Sequence, residues 1–322
     1  MTERKNGKQW DADPWVLGCS NGVIDLRTGE LRDGQPEDYI KTVCPTPYMG
    51  LDAECPAWNG FLDSVFGGDE DLIGYVRRLF GYSILGLCVE HVFPVLQGQG
   101  RNGKSTMLET LGAVLGPLAG PIATGQLFGK RRSAAAGSPD ILDLRGKRLI
   151  WASDPDDGSK LAPSRIKWLT GGDTLMGRAP FSESMGAFRP THTLFLSTSR
   201  LSLATGKEHA LWSRIRIIHF PYSFVDEPRA DNERAEDKHL PEKLQAEAAG
   251  ILSWLVRGCL EWQRVGLGTA DAITAETRKY QGEEDLVGQF LADRTLADPG
   301  GQRGNPPNPP GMQEAFYGGR LR

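Results

Sequence analysis

The stretch "VLQGQGRNGKSTMLETLG", residues 95–112, decides the fold. Gly98, Gly103, Lys104 and Ser105 satisfy the pattern G-x-x-x-x-G-K-[ST]. An apolar run, "VFPVL", precedes it and reads as a strand. Met107, Leu108, Leu111 and Leu115 follow as the stripe of an amphipathic helix, which Gly116-Pro117 ends. Strand, loop and helix in that order are the context a phosphate cradle requires. Glycines let backbone N–H groups close around phosphates, a lysine neutralises them, and a hydroxyl on the first helical turn can hold magnesium. Gly98, Gly100, Asn102, Gly103, Lys104, Ser105 and Thr106 are therefore the candidate nucleotide-binding residues, with ATP and Mg2+ as the implied cofactors. An incidental glycine-rich turn is the alternative reading.

Outward from the cradle, residues 91–225 alternate strand-like and helical runs: "VFPVLQ", "KSTMLETLGAVLG", "RLIWAS", "PSRIKWLTGG", "HTLFLST" and "IRIIHFP". This is an α/β pattern. A phosphate cradle needs a second magnesium- and water-positioning carboxylate at the end of a neighbouring strand. In "GKRLIWASDPDD", residues 146–157, Asp154 ends an apolar run, with Asp156 and Asp157 just beyond. Asp154 is the candidate, although Asp, Pro and Gly also favour a plain polar turn there.

Ahead of the core, "WVLGCSNGVIDLRTGEL" reads as a hairpin, with Asn21-Gly22 and Thr28-Gly29 flanking "VIDL". Two helices follow, one with Trp58, Phe61, Leu62, Val65 and Phe66 on a face, the other with Ile73, Val76, Leu79 and Phe80; Gly67-Gly68-Asp69 separates them. After Asp226 a charged segment leads to a helical stripe of Ile251, Leu252, Leu255, Val256 and Cys259, and 276–291 predicts a last amphipathic helix. The expected domains are a β-hairpin and helical domain at 1–88, the α/β core at 89–225 and a helical segment at 226–292. The Pro/Gly-rich tail, 293–322, is expected to be disordered.

The chain has 322 residues, 39% of them hydrophobic, and no apolar run near the roughly 20 residues that span a bilayer. A cytoplasmic protein without export signal or membrane contact is expected. Five scattered cysteines, with no CxxC spacing, suit free thiols and argue against structural zinc. A net charge of −4 and a pI near 5.8 exclude a uniformly basic wrapper of nucleic acid. Basic clusters at 130–132 and 145–148 read as solvated faces or local DNA contacts.

Six segments in order resemble the phage and plasmid primase-helicase family, whose motor is a superfamily III helicase: "NGVIDLRTGEL" with "EDYI", "GQGRNGKST", "LRGKRLIWASD", "IKWLTGGDTLMGR", "FRPTHTLFLSTSR" and "ALWSRIRIIHFPYSF". The resemblance implies an AAA+-like P-loop NTPase core that assembles as a homo-hexamer. Such rings hydrolyse ATP between subunits and move 3′ to 5′ on single-stranded or forked DNA, with a primase or other replication proteins as partners. By position it implies Lys104 and Ser105 as phosphate and magnesium residues, Asp154 as the second acid and Ser199 as the polar sensor. Arg214 becomes the finger that reaches a neighbour's γ-phosphate. Segment 166–190 becomes a strand pair in the ring channel, where Lys167 and Arg178 touch DNA and Thr170, Gly171 and Asp173 shape the turn. For Arg178 a strand-end charge is the alternative, and for Arg214 a surface arginine.

Departures from the family pattern qualify the chemistry. Asp154 stands where the family has Glu, Ser199 where it has Asn, and Ser213 where a second Arg precedes the finger. The shorter side chains orient water less firmly, which points to slow hydrolysis. Neither the family's primase domain nor its winged helix is expected within these 322 residues, so no primer synthesis and weakened DNA affinity are expected of them. A degenerate ATP-binding ring or scaffold with little hydrolysis is the competing expectation, and a P-loop kinase or small-molecule ATPase a third.

Overall fold

The computed structural model describes residues 10–127, 139–153, 161–178, 185–200 and 209–284. Chain order begins with β1 Val16–Cys19, β2 Gly22–Asp25 and β3 Glu30–Arg32, an antiparallel sheet. Asn21 holds the first turn by exchanging side-chain hydrogen bonds with the Tyr48 backbone, both at 2.9 Å. Helices α1 Pro56–Phe66 and α2 Glu70–Ser83 follow. Gly67 and Gly68 at φ +66° and +75° break them apart, and Asp69 caps α2 by accepting from the Leu72 N–H at 3.0 Å.

The core then runs β4 Phe93–Gln97, α3 Lys104–Leu115, β5 Ala119–Pro121, α4 Pro139–Leu142, β6 Leu149–Ala152 and α5 Pro163–Thr170. A hairpin of β7 Leu175–Arg178 and β8 Met185–Phe188 precedes β9 Thr193–Thr198, α6 His209–Trp212 and β10 Ile215–His219. A small parallel ribbon, β11 Ser223–Val225 and β12 Glu233–Ala235, leads to α7 Leu240–Ala246, α8 Ala248–Val265 and α9 Asp271–Glu284.

A parallel sheet of five strands, β10-β4-β9-β6-β5, forms the centre and is compatible with a P-loop NTPase core. Its strands carry near-continuous apolar runs because both faces are covered. On one face Leu96, Trp151, Phe195 and Ile218 pack with α1, α2, α3 and α8; on the other Val95, Ile150, Leu194 and Ile217 pack with α5 and α9. Phe80 of α2 stacks on Phe195 of β9 with centroids 4.7 Å apart. Each such buried aromatic contributes on the order of 1.5–3 kcal/mol over exposure.

The N-terminal elements and α8 share one core. Gly81 of α2 meets the backbone of Gly258 and Cys259 of α8 so closely that a Cβ has no room. Glu261 of α8 clamps the same pair of helices, accepting from Arg77 at 2.6 Å and Arg78 at 2.9 Å. Burial alone would raise its carboxyl, but the two guanidinium partners outweigh that and hold it below its ordinary range.

Several sequence expectations change in detail. The last helix begins at Asp271, five residues before the expected start, because Ala270 and Ile273 bury beside Leu267 as its first turn forms. Residues beyond Glu284, including the tail, lie outside the described part. Segment 166–190 is not all strand: 166–170 completes α5 and the hairpin starts at Leu175. The short edge strand β5 carries no strong pattern, and its Pro121 suits an edge. Among the described residues all five cysteines are free.

Candidate nucleotide site

The candidate phosphate loop spans the gap between β4 and α3. Gly98 opens it, donating its N–H to Thr198 O at 3.2 Å. A Cβ at Gly98 would collide with the Asn102 amide and lie 2.7 Å from the Phe220 carbonyl, so only glycine fits. Arg101 (φ +61°) and Gly103 (φ +88°) are left-handed, which turns successive peptide N–H groups toward one side as an anion nest does. Beside Gly100 there is open space where a Cβ would be.

Lys104 is the first residue of α3 and only 6% exposed. Its Nζ donates to Gly98 O at 2.5 Å and to Asn102 Oδ1 at 2.9 Å, so the ammonium is folded back across its own loop. Asn102 is 3% exposed, and its Nδ2 finds no acceptor among the described residues. An orphaned buried donor costs about 1–3 kcal/mol. Oxygen-rich ligands relieve such a cost. The N–H groups of Lys104, Ser105 and Thr106 belong to the first turn, where no helical carbonyl is available and the helix dipole favours negative charge. The Ser105 side chain is exposed on that turn, available as a hard oxygen ligand; Thr106 is half-buried.

Strand register brings further residues to this edge. Gln97, Thr198 and His219 end β4, β9 and β10 side by side. Ser199 follows Thr198 directly and is exposed there, one residue from the partner of Gly98. His219 Nδ1 lies 3.0 Å from Gln97 Oε1. Partial burial lowers its pKa, with Glu276 opposing and Lys279 and Lys104 adding to the drop. β6 ends at Ala152 on the same side, one strand beyond β9. Asp154, with Asp156 and Asp157, lies outside the described residues.

Arg214 occupies the opposite end of the sheet. Its carbonyl accepts from the Phe93 N–H at 2.7 Å, at the amino end of β4. Its Nη1 donates to the Thr170 carbonyl at 3.0 Å and hydroxyl at 3.2 Å, at the end of α5. The Thr170 carbonyl also lies 3.4 Å from Cys88 Sγ and 3.2 Å from His91 Nδ1. Thr170 and the left-handed Gly172 thus root the β7–β8 hairpin, with Asp173 exposed beside them. Lys167 is half-buried on α5; Arg178 ends β7, and its side chain is outside the described residues. Ser213 is exposed and bonds Ala210 O at 3.2 Å.

In the basic cluster 145–148, Lys147 and Arg148 belong to the scaffold, while Arg145 is exposed. Arg148 is 4% exposed and donates to Pro14 O and Val16 O, and burial pushes its pKa down to about 10. Lys147 bonds Ala119 O at 3.1 Å. The cluster at 130–132 is outside the described residues. Residues that sequence reasoning missed are Phe220, Phe224 and Glu236, which brace the loop from 120 or more positions away; nothing local marks them.

Residues 3–67 match the family model described as D5 N terminal like. A protein of Acanthamoeba polyphaga mimivirus named "Putative helicase" is 29% identical over 296 residues, which cover 88% of this chain and 31% of that protein. A Frog virus 3 protein of the same description is 23% identical over 362 residues, 90% of this chain and 37% of that one. An African swine fever virus protein named "Putative primase" is 22% identical over 308 residues, 90% and 32% of the two chains. This chain thus spans about a third of the length of these relatives. Among solved structures, the apo C-terminal region of NrS-1 is similar with a TM-score of 0.53 at 11% identity, over 81% of this chain and 57% of that one. That likeness is one of fold. The resemblance to the primase-helicase family holds, in the N-terminal segment and along most of the chain. No helix among the described residues is long and apolar enough to cross a membrane.

Proposed function

We propose that this chain is the ATP-hydrolysing core of a replicative helicase of the primase-helicase type, an AAA+-like superfamily III domain working as a homo-hexameric ring on single-stranded or forked DNA. One observation carries the reading. Lys104 lies beyond the carboxyl end of β4, whereas Arg214 precedes the amino end of the adjacent β10. Four residue steps at about 3.3 Å each put these ends roughly 13 Å apart before any side chain is counted. Arg214 is therefore badly placed for its own cradle, which favours a role toward the cradle of another copy.

In this reading the loop N–H groups and Lys104 bind the β- and γ-phosphates. Ser105 and Asp154 supply the protein oxygens for magnesium, which neutralises phosphate charge when bound. Ser199, beside Gly98 through Thr198, orients the attacking water. Arg214 of a neighbouring copy completes the site, its delocalised guanidinium suiting a spread phosphoryl charge. Lys167 and Arg178 serve DNA from α5 and β7. The domains are read as 1–88, the motor core 89–225 and a helical segment 226–292 that packs back through α8.

The exposed Ser199, a shorter donor than an amide, supports a second reading as a nucleotide-binding ring with little turnover. ATPase rates with and without single-stranded DNA decide between them. DNA-stimulated turnover supports the motor; tight ATP binding with no turnover supports the scaffold.

A further inference from the structure

We infer that Glu236, acting through Arg101, is a positioning residue that clasps the apex of the phosphate loop from the β11–β12 ribbon. The inference rests on the loop's being a nucleotide cradle. Arg101 holds φ +61°, a backbone conformation that glycine adopts freely and an L side chain does not. Gly103, the other left-handed residue of the loop, needs no support of this kind. Arginine at position 101 keeps the strained geometry because both its backbone and its side chain are tied to one distant segment. The Phe224 N–H donates to Arg101 O at 2.7 Å, and Arg101 Nη2 bonds Glu236 Oε2 at 2.8 Å.

That segment is itself anchored. Phe220 donates its N–H to Gln97 O at 2.8 Å and packs edge-on against Phe66 with centroids 5.1 Å apart. Tyr222 lies against Gly67, under the Arg234 guanidinium at 3.9 Å. The Glu236 N–H donates to Val225 O at 2.9 Å, which fixes the carboxylate at the ribbon's edge. Among the described residues Asp226 also interacts electrostatically with Arg101, but it is bonded to Lys238 at 2.6 Å. Glu236 is therefore the acid that holds the apex. A stretch that the sequence marks only as charged becomes the back wall of the cradle.

The test titrates a fluorescent ATP analogue into wild-type protein, E236Q, R101A, R101K and the double variant R101A/E236Q, with melting temperature and steady-state ATPase recorded for each. An exposed ion pair supports an effect of about two- to fivefold. E236Q and R101A are each expected to weaken affinity by that factor, and to raise KM equally where turnover is measurable, leaving kcat and melting temperature nearly unchanged. R101K is expected to restore most of the affinity, and the double variant to equal either single one, because the pair acts as a unit. Unchanged affinity in E236Q overturns the clasp. Loss in R101A with none in E236Q also overturns it, since Arg101 would then touch phosphate directly. K104A separates the premise: if that variant binds the analogue normally, the cradle itself is misassigned.

Discussion

Arg214 bonds Thr170 at the amino end of β10, while Lys104 lies across its loop at the carboxyl end of the neighbouring β4. On the proposed reading, a site that uses both draws them from two copies of the chain. K104A and R214A are each expected to lower ATP turnover by about 10³-fold or more. Mixed in equal amounts, they are expected to recover about a quarter of wild-type activity, because heterologous interfaces pair an intact cradle with an intact finger. A mixture as inactive as its components would place both residues in one subunit or remove Arg214 from the reaction.

The cradle itself is testable without turnover. Magnesium and ATP at 100 times the dissociation constant should stabilise wild-type protein by about 2.7 kcal/mol, read as a rise in melting temperature. K104A should show no rise, since it removes the buried ammonium that now bridges Gly98 O and Asn102 Oδ1. An equal shift in both proteins would refute the site.

His192 predicts a pH dependence. It is 1% exposed, and burial pushes its pKa down to about 4, with the Leu169 backbone opposing. The folded state keeps the ring neutral, whereas the unfolded chain takes up a proton near its ordinary value of about 6.5. The unfolded state thus binds more protons below that value, and stability present above pH ~6.5 falls away toward pH ~4 by about 3 kcal/mol. Urea unfolding between those limits should show that loss, and H192F should show a flatter profile. Parallel profiles would mean that His192 is not the group responsible.

The α2–α8 crossing predicts sensitivity to a single methyl. At Gly81 an added Cβ meets backbone of Gly258 and Cys259, which cannot rotate away. G81A should cost about 2–3 kcal/mol, and G258A, whose Cβ would meet the Arg77 carbonyl, a similar amount. Differential scanning calorimetry should register a drop of about 4–8 °C in either variant. No drop would mean that the helices sit further apart.

The candidate cradle was legible in sequence because its residues are local. Gly98, Gly103, Lys104 and Ser105 lie within eight consecutive positions, and strand and helix patterns on either side need no distant partner. The same holds for the hairpin turn at Asn21-Gly22, the helix break at Gly67-Gly68-Asp69 and the apolar runs that became β4, β6, β9 and β10. The helical stripe of α8 was readable too, although its partner was not.

Tertiary structure alone decided which ends meet. Strand order put Ser199 beside Gly98 and sent Arg214 to the far end, because pairing between β4, β9 and β10 depends on contacts 100 or more residues apart. It buried Arg148 under backbone carbonyls of Pro14 and Val16, where the sequence suggested a solvated face or a local DNA contact. It also set Glu236 against Arg101 across 135 residues. No local pattern encodes such pairs, since each partner's side chain looks ordinary until the chain closes around it. Sequence thus marked the candidate phosphate loop between β4 and α3, and the packing of the parallel sheet determined what surrounds it.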